Sequence, residues 1–295
     1  MSMKGKIIKG IAGFYYVYVD GAGVYACRAK GIFRKLGLKP LVGDDVTLTA
    51  TDEKDMEGNV TAVLPRKNAL IRPAVANVDQ ALVIFAMKSP DPNGNLLDRF
   101  LLQMKQQSLP VIICFNKTDL AEEAAQQALT ETYRDSGAKL LFLSAKTGVG
   151  LEELKTVLEG RTTTVAGPSG AGKSTIINLL QPEAEMETGD LSKKLERGRH
   201  TTRHAQLIHI TGETFIMDTP GFSSLMLPEI PKEELRDYYP EFEAYEPACR
   251  FRGCSHVKEQ DCGVRAAVAD GRISAVRYEN YRLFYEELKE RKTYE

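Results

Sequence analysis

The stretch Gly167-Pro168-Ser169-Gly170-Ala171-Gly172-Lys173-Ser174-Thr175 fits the pattern G-x-x-x-x-G-K-[ST], a phosphate-binding loop. The chemistry lies in the backbone. Without a Cβ, Gly167, Gly170 and Gly172 let the chain curl until successive N–H groups face one anion. Lys173 is then placed to reach β- and γ-phosphates, and the Ser174 hydroxyl to hold Mg²⁺. Thr162–Ala166 reads as a strand and Thr175–Leu180 as a helix. That order puts the phosphates at a helix N-terminus, on the positive end of its dipole.

A second group precedes the loop. Val111-Ile112-Ile113-Cys114-Phe115 is an apolar run of strand length and delivers Asn116-Lys117-Thr118-Asp119 at its C-terminal end, where open α/β sheets place ligands. A carboxylate at Asp119 can accept from guanine N1–H and the 2-amino group. Adenine offers neither donor and leaves a buried acceptor unpaired, which disfavours an ATP-dependent enzyme such as a kinase. Asn116 would tether the base edge and the neighbouring loop, and the Lys117 stem would lie along the ring face. The next strand, Lys139–Leu143, ends in Ser144-Ala145-Lys146, where the Ala145 N–H would meet the guanine O6 and close the same pocket.

A third group follows. The hairpin Gln206–Ile210 and Thr214–Met217 leads to Asp218-Thr219-Pro220-Gly221. Asp218 would anchor Mg²⁺ and the Gly221 N–H would touch the γ-phosphate. Between loop and hairpin, Pro182–His204 is polar and basic, with Lys193, Lys194, Arg197, Arg199 and Arg203, and reads as a switch that orders on the γ-phosphate. Thr201 or Thr202 would close on Mg²⁺; the residues do not choose between them. Finally, Cys249-x₄-Cys254-x-His256-x₅-Cys262 brings together four ligands that suit one closed, structural tetrahedral Zn²⁺ site.

The elements that must position these groups show in the patterning. Residues 1–68 read as short strands rich in aromatic and β-branched residues, among them Tyr15–Val19, Val24–Arg28, Val46–Thr49 and Asn59–Leu64, with Asp20-Gly21-Ala22-Gly23 as a turn. A five-stranded barrel of the OB type fits. Residues 1–40 hold eight Lys or Arg against the single acid Asp20, interleaved with Tyr15, Tyr16, Tyr18, Tyr25 and Phe33. That mixture suits RNA contact, and equally a solvated basic face over a tyrosine core. From residue 69 strands and helices alternate, implying a mostly parallel sheet. Ala81–Ala86 is a buried strand, and Leu96–Gln106 a helix with Leu97, Phe100, Leu101 and Met104 on one face. Further helices are expected over Ala121–Asp135 and from Gly150 to Glu159. Residues 231–295 carry the Cys/His cluster and helices in which Arg265, Arg272, Arg277 and Arg282 alternate with Tyr278, Tyr281 and Tyr285, either a nucleic-acid face or a salt-bridged one.

The 295 residues are 43% hydrophobic and 27% charged, with net charge −1, so no global field draws the chain to nucleic acid. The longest apolar run, Ala81–Met87, is too short for a bilayer, and the N-terminal stretch lacks the apolar core of a signal peptide. A cytoplasmic protein is expected. Five cysteines do not make a disulfide scaffold; Cys27 and Cys114 sit in apolar strands and read as core.

The order of parts is informative. The base-binding groups precede the phosphate loop, whereas Ras-like GTPases carry them last; joining the old termini and reopening the chain after Gly221 rebuilds the same sheet. Across all three regions the chain resembles the RsgA (YjeQ/YloQ) family of ribosome small-subunit-dependent, circularly permuted GTPases. The resemblance implies an OB-type barrel over 1–68, a permuted Ras-like P-loop GTPase domain of α/β class over 69–230, and a small zinc-binding helical domain over 231–295. It further implies a monomeric assembly factor of the 30S subunit that binds 16S rRNA and GTP or GDP, with GTPase activity stimulated by the subunit. One residue departs from Ras-like chemistry: Phe222 follows Gly221, where Ras-like proteins have a water-orienting Gln. The resemblance points to His200, in Gly198-Arg199-His200-Thr201-Thr202, as the replacement, beside Lys173, Thr201 and Thr202 as the catalytic set. The alternative is a nucleotide-sensing RNA-binding module with vestigial catalysis.

Overall fold

The computed structural model describes residues 2–29, 33, 37–52, 54–70, 74–181, 206–219 and 221–291. They form two compact units: Met1–Ala81 with Glu152–Ala166 and Lys173–Pro220, and Leu82–Leu151 with Gly167–Gly172 and Gly221–Glu295.

The first unit opens with β1 (Ser2–Ile11), β2 (Phe14–Val19), β3 (Gly23–Ala29), β4 (Asp45–Asp52) and β5 (Glu57–Val63). They close into a barrel in the order β1-β2-β3-β5-β4. All ladders are antiparallel except β3 with β5. The sequence reading missed β1, because its alternating lysines and glycines hide a strand whose inward residue, Ile7, is fully buried. Tyr25, Cys27 and Phe33 also turn inward. The short pair β6 (Ala69–Leu70) and β7 (Val75–Ala76) leads to β8 (Gln80–Ala86), buried along its whole length, as a strand covered on both faces is. At the entrance to β8, the Thr162 N–H donates to Asp79 Oδ2 (2.9 Å) and the Asp79 N–H to the Thr162 carbonyl (2.9 Å).

In chain order the second unit contributes α1 (Gly94–Gln106), β9 (Val111–Asn116), α2 (Glu123–Tyr133) and β10 (Lys139–Phe142). Strand order there is β10-β9-β8, with β9 and β10 parallel. The chain then forms α3 (Leu151–Leu158), β11 (Thr162–Ala166), α4 (Lys173–Leu180), β12 (Leu207–Thr211) and β13 (Thr214–Asp218) in the first unit. There β11 pairs β13 in parallel and β13 pairs β12 antiparallel.

After short 3₁₀ turns, α5 (Gly263–Ala269) and α6 (Ala275–Glu290) complete the second unit. Ser274 caps α6, its hydroxyl accepting from the Arg277 N–H (3.4 Å). The core here joins Leu102 of α1 to Leu235, Tyr239, Phe242, Tyr281 and Phe284. This corrects the single-faced reading of α1. Leu102 and Asp98 are buried and Leu101 is only half-buried, because α1 has a second partner along its other side.

Candidate functional site

β9 ends on Asn116, and the chain turns sharply there, with Lys117 in the left-handed region at φ 65°. Asn116 is 2% exposed and makes two bonds. Its amide donates to the Ala171 carbonyl (2.8 Å), and its carbonyl oxygen accepts from the Ala145 N–H (3.0 Å). One buried amide therefore joins three separated motifs. Asp119 Oδ1 accepts from the Ser144 hydroxyl (2.6 Å), which fixes the carboxylate's orientation. Ser144 in turn accepts from the Thr147 N–H (3.2 Å). Thr118 donates its N–H to the Leu143 carbonyl (3.2 Å), and the Lys117 ammonium reaches the Ser89 carbonyl. Lys146 is exposed at the end of this loop.

In the same unit, two glycines of the phosphate loop are set by close approach. A Cβ on Gly172 (φ 95°) would stand 2.3 Å from Asn116 Nδ2, and one on Gly167 (φ 145°) would stand 2.1 Å from the Ile84 carbonyl oxygen. Only glycine fits either place. Ala171 is buried, and Pro168, Ser169 and Gly170 form the turn between. Gly221 is exposed. The next residue, Phe222, donates its N–H to the Gly167 carbonyl (3.4 Å) and stacks on Phe100 of α1, ring centroids 5.8 Å apart.

The first unit carries the other half of the motif set. Lys173 opens α4, and Ser174 and Thr175 are exposed in its first turn. β13 ends at Asp218, paired in register with Val165. Thr219 grips the Val165 carbonyl with its N–H (3.0 Å) and hydroxyl (2.8 Å). Burial pushes the Lys173 ammonium down while Asp218 pulls it back, and burial pushes the Asp218 carboxyl up while Lys173 pulls it back. An anion at Lys173 and a cation at Asp218 relieve both penalties. His200, Thr201 and Thr202, with the basic residues Lys193 to Arg203, lie outside the described residues.

The ligand atoms of Cys249, Cys254, His256 and Cys262 all lie within 4.8 Å of one another. His256 Nδ1 faces the thiols, 3.4 Å from Cys262 Sγ and 3.6 Å from Cys249 Sγ. Its Nε2 faces Glu246 Oε1 at 3.2 Å, the carboxylate–histidine pairing that orients a metal-bound imidazole. Burial pushes the Cys254 thiol up to about 12 and the His256 imidazole down. A divalent cation reverses the first effect and takes the neutral imidazole the second favours, so the donor set fits a soft or borderline metal. The signal for Glu246 is invisible in spacing, since it lies outside the Cys/His cluster.

Two sequence readings change. Arg277 does not face solvent. It is 2% exposed, bonded to Asp98 (2.6 Å) and Glu241 (2.8 Å), with Asn280 on the other Asp98 oxygen (2.7 Å). Arg272, in the turn between α5 and α6, pairs with Asp270, and Arg282 of α6 pairs with Glu279, while Arg265 donates to the Glu259 carbonyl (2.7 Å). In the barrel Tyr25 and Phe33 belong to the core, and Tyr18 stacks on His209 of β12 at 4.0 Å between centroids. Tyr15 and Tyr16 remain half-buried. No helix among the described residues is long and apolar enough to cross a membrane.

Comparison with known proteins gives concordant results. The family described as RsgA GTPase matches residues 63–228, and the RsgA N-terminal domain matches residues 4–58. The chain is 59% identical over 302 residues to a protein of Agathobacter rectalis named small ribosomal subunit biogenesis GTPase RsgA, covering 99% of this chain and 100% of the relative. It is 46% identical to a protein of the same name from Bacillus anthracis, covering 98% of each. Among solved structures it is similar to YjeQ from Thermotoga maritima (TM-score 0.81, 35% identity, 99% of this chain and 100% of that one). It is also similar to YloQ, titled a circularly permuted GTPase (TM-score 0.80, 39% identity, 100% of this chain and 98% of that one).

Proposed function

The chain belongs to the RsgA GTPase family, and from that premise we propose that this circularly permuted GTP hydrolase acts in biogenesis of the small ribosomal subunit. The observation that carries the nucleotide reading is Asn116. A buried amide bonded at once to Ala171 and Ala145 assembles a base pocket and a phosphate loop from three distant motifs. Asp119, oriented by Ser144, reads guanine; Ala145 and Lys146 close the pocket; Lys117 and Thr118 shape its wall. The Gly167–Thr175 backbone and Lys173 take the phosphates. Ser174 and Asp218 hold Mg²⁺, which neutralises developing charge on the β- and γ-oxygens. Gly221 meets the γ-phosphate. With Phe222 turned onto Phe100, water orientation falls to His200, and Thr201 or Thr202 closes the site.

We assign residues 1–68 to an OB-type domain that contacts 16S rRNA, 69–230 to the GTPase domain and 231–295 to a domain built around one structural Zn²⁺ on Cys249, Cys254, His256 and Cys262. The chain works as a cytoplasmic monomer that hydrolyses GTP to GDP and phosphate on the 30S subunit. Asp119→Asn tests the base reading. Its amide replaces one acceptor by a donor, so GTP affinity should fall by about 2–4 kcal/mol while xanthosine triphosphate gains. Phosphate release measured with and without purified small subunits tests the rest. Normal GTP affinity in the variant, or no acceleration of the parent chain by subunits, would overturn the corresponding half of the reading.

A further inference from the structure

Residues 222–229 have no regular secondary structure, yet their backbone is held closely. Five consecutive carbonyls, from Leu225 to Glu229, each accept a bond from a side chain. Arg99 donates to Leu225 (3.4 Å), Gln103 to Met226 (2.8 Å) and Gln106 to Glu229 (3.4 Å). These donors stand at i, i+4 and i+7, one face of α1. Arg291, at the C-terminal end of α6, supplies the other two, to Leu227 (3.1 Å) and Pro228 (3.2 Å). One carboxylate organises both arginines. Glu287 takes Arg99 through both of its oxygens (Nη1 to Oε1, 3.1 Å) and Arg291 Nη2 through Oε1 (3.3 Å). Arg99 is 18% exposed, and its guanidinium also lies over the Phe284 ring at 4.8 Å. A bidentate, part-buried pair of this kind holds its geometry better than a surface ion pair.

The strap begins one residue after Gly221, and its first side chain, Phe222, stacks on the same helix that carries Arg99 and Gln103. Holding residues 225–229 fixes how far Gly221 can travel, because only three residues lie between. We propose that Glu287 is a positioning residue for GTP hydrolysis: by aligning Arg99 and Arg291 it sets the strap, and through the strap the approach of Gly221 to the γ-phosphate. The inference rests on the reading of Gly221 above and adds a residue of the C-terminal helix to the machinery that tells GTP from GDP.

The test uses the full chain carrying Glu287→Gln, which removes the charge both arginines share, and Arg291→Met as an independent break. Dissociation constants for GDP and for a non-hydrolysable GTP analogue are measured together with single-turnover hydrolysis. GDP lacks the phosphate that Gly221 meets, so its affinity should stay within about twofold, while the analogue weakens about fivefold or more. The hydrolysis rate should fall roughly tenfold, as expected for a displaced reacting geometry. Equal weakening of both nucleotides, or a lower melting temperature with an unchanged analogue-to-GDP ratio, assigns Glu287 a purely structural part and overturns the proposal. Gly221→Pro, which removes the N–H itself, separates the two levels. If it changes the ratio and Glu287→Gln does not, the Gly221 reading stands and this inference fails. If Glu287→Gln changes the ratio and Gly221→Pro does not, the Gly221 reading fails and the route proposed here fails with it.

Discussion

Asn116 is the residue on which the proposed nucleotide site turns. One of its two hydrogen bonds is buried and the other half-buried, and truncation leaves the Ala171 carbonyl and the Ala145 N–H without their partner. Each such orphan costs about 1–3 kcal/mol. Asn116→Ala should therefore weaken GTP and GDP alike, by roughly 100-fold or more, in a fluorescent-nucleotide titration. Equal affinity in the variant would mean the amide is not what assembles the pocket. Gly172→Ala should reproduce the loss with Asn116 unsubstituted, since the new methyl would arrive 2.3 Å from its Nδ2 and displace the amide. The tetrapeptide Asn116–Asp119 was legible from its residue types and its place after an apolar run. The bond from Asn116 to Ala171 was not, because nothing in the spacing of residues 116 and 171 encodes a contact between two loops.

At the scale of elements, α1 and α6 are joined by a buried ionic cluster. Arg277 lies between Asp98 and Glu241, both nearly inaccessible, and its guanidinium faces the Tyr239 ring at 4.8 Å. The carboxylates hold the Arg277 guanidinium well above its usual range despite its burial. Removing one partner strands a buried charge. Arg277→Met should cost about 3–5 kcal/mol in urea unfolding, and replacing Asp98 and Glu241 by apolar residues in the same chain should recover most of it. The Cys/His cluster sits in the same unit. Glu246→Gln leaves the four ligands in place but removes the carboxylate behind His256. Zinc affinity should fall about 10–100-fold in a chelator competition, and an unchanged affinity would show that Glu246 does not orient the imidazole.

For the whole molecule, hydrolysis needs a polar group near the attacking water, and Phe222 is not one. His200→Ala is expected to keep GTP affinity and subunit binding but to lose about 100-fold or more of the subunit-stimulated rate, the scale of a positioned acid–base group. A variant that binds the subunit and still responds at a near-normal rate would remove His200 from the mechanism. Co-sedimentation with small subunits in GDP and in a GTP analogue supplies the binding control.

Local rules made the phosphate loop, the base motifs, the Cys/His spacing and most strands readable, because glycine freedom, strand periodicity and ligand type act over a few residues. The permuted order was readable for the same reason, since it is only the sequence of those motifs. Other features were decided by packing between distant segments. Leu102 and Asp98 became core when the C-terminal helices covered the second side of α1. Tyr25 of β3 and Phe33 after it became buried, although the same residues in a basic stretch suit an RNA surface equally well. Arg277 went inside because two carboxylates far away in the chain meet it there. A long polar or aromatic side chain can satisfy itself in water or in a buried network, so its type does not choose between them. The choice belongs to whichever surface the folded chain brings against it.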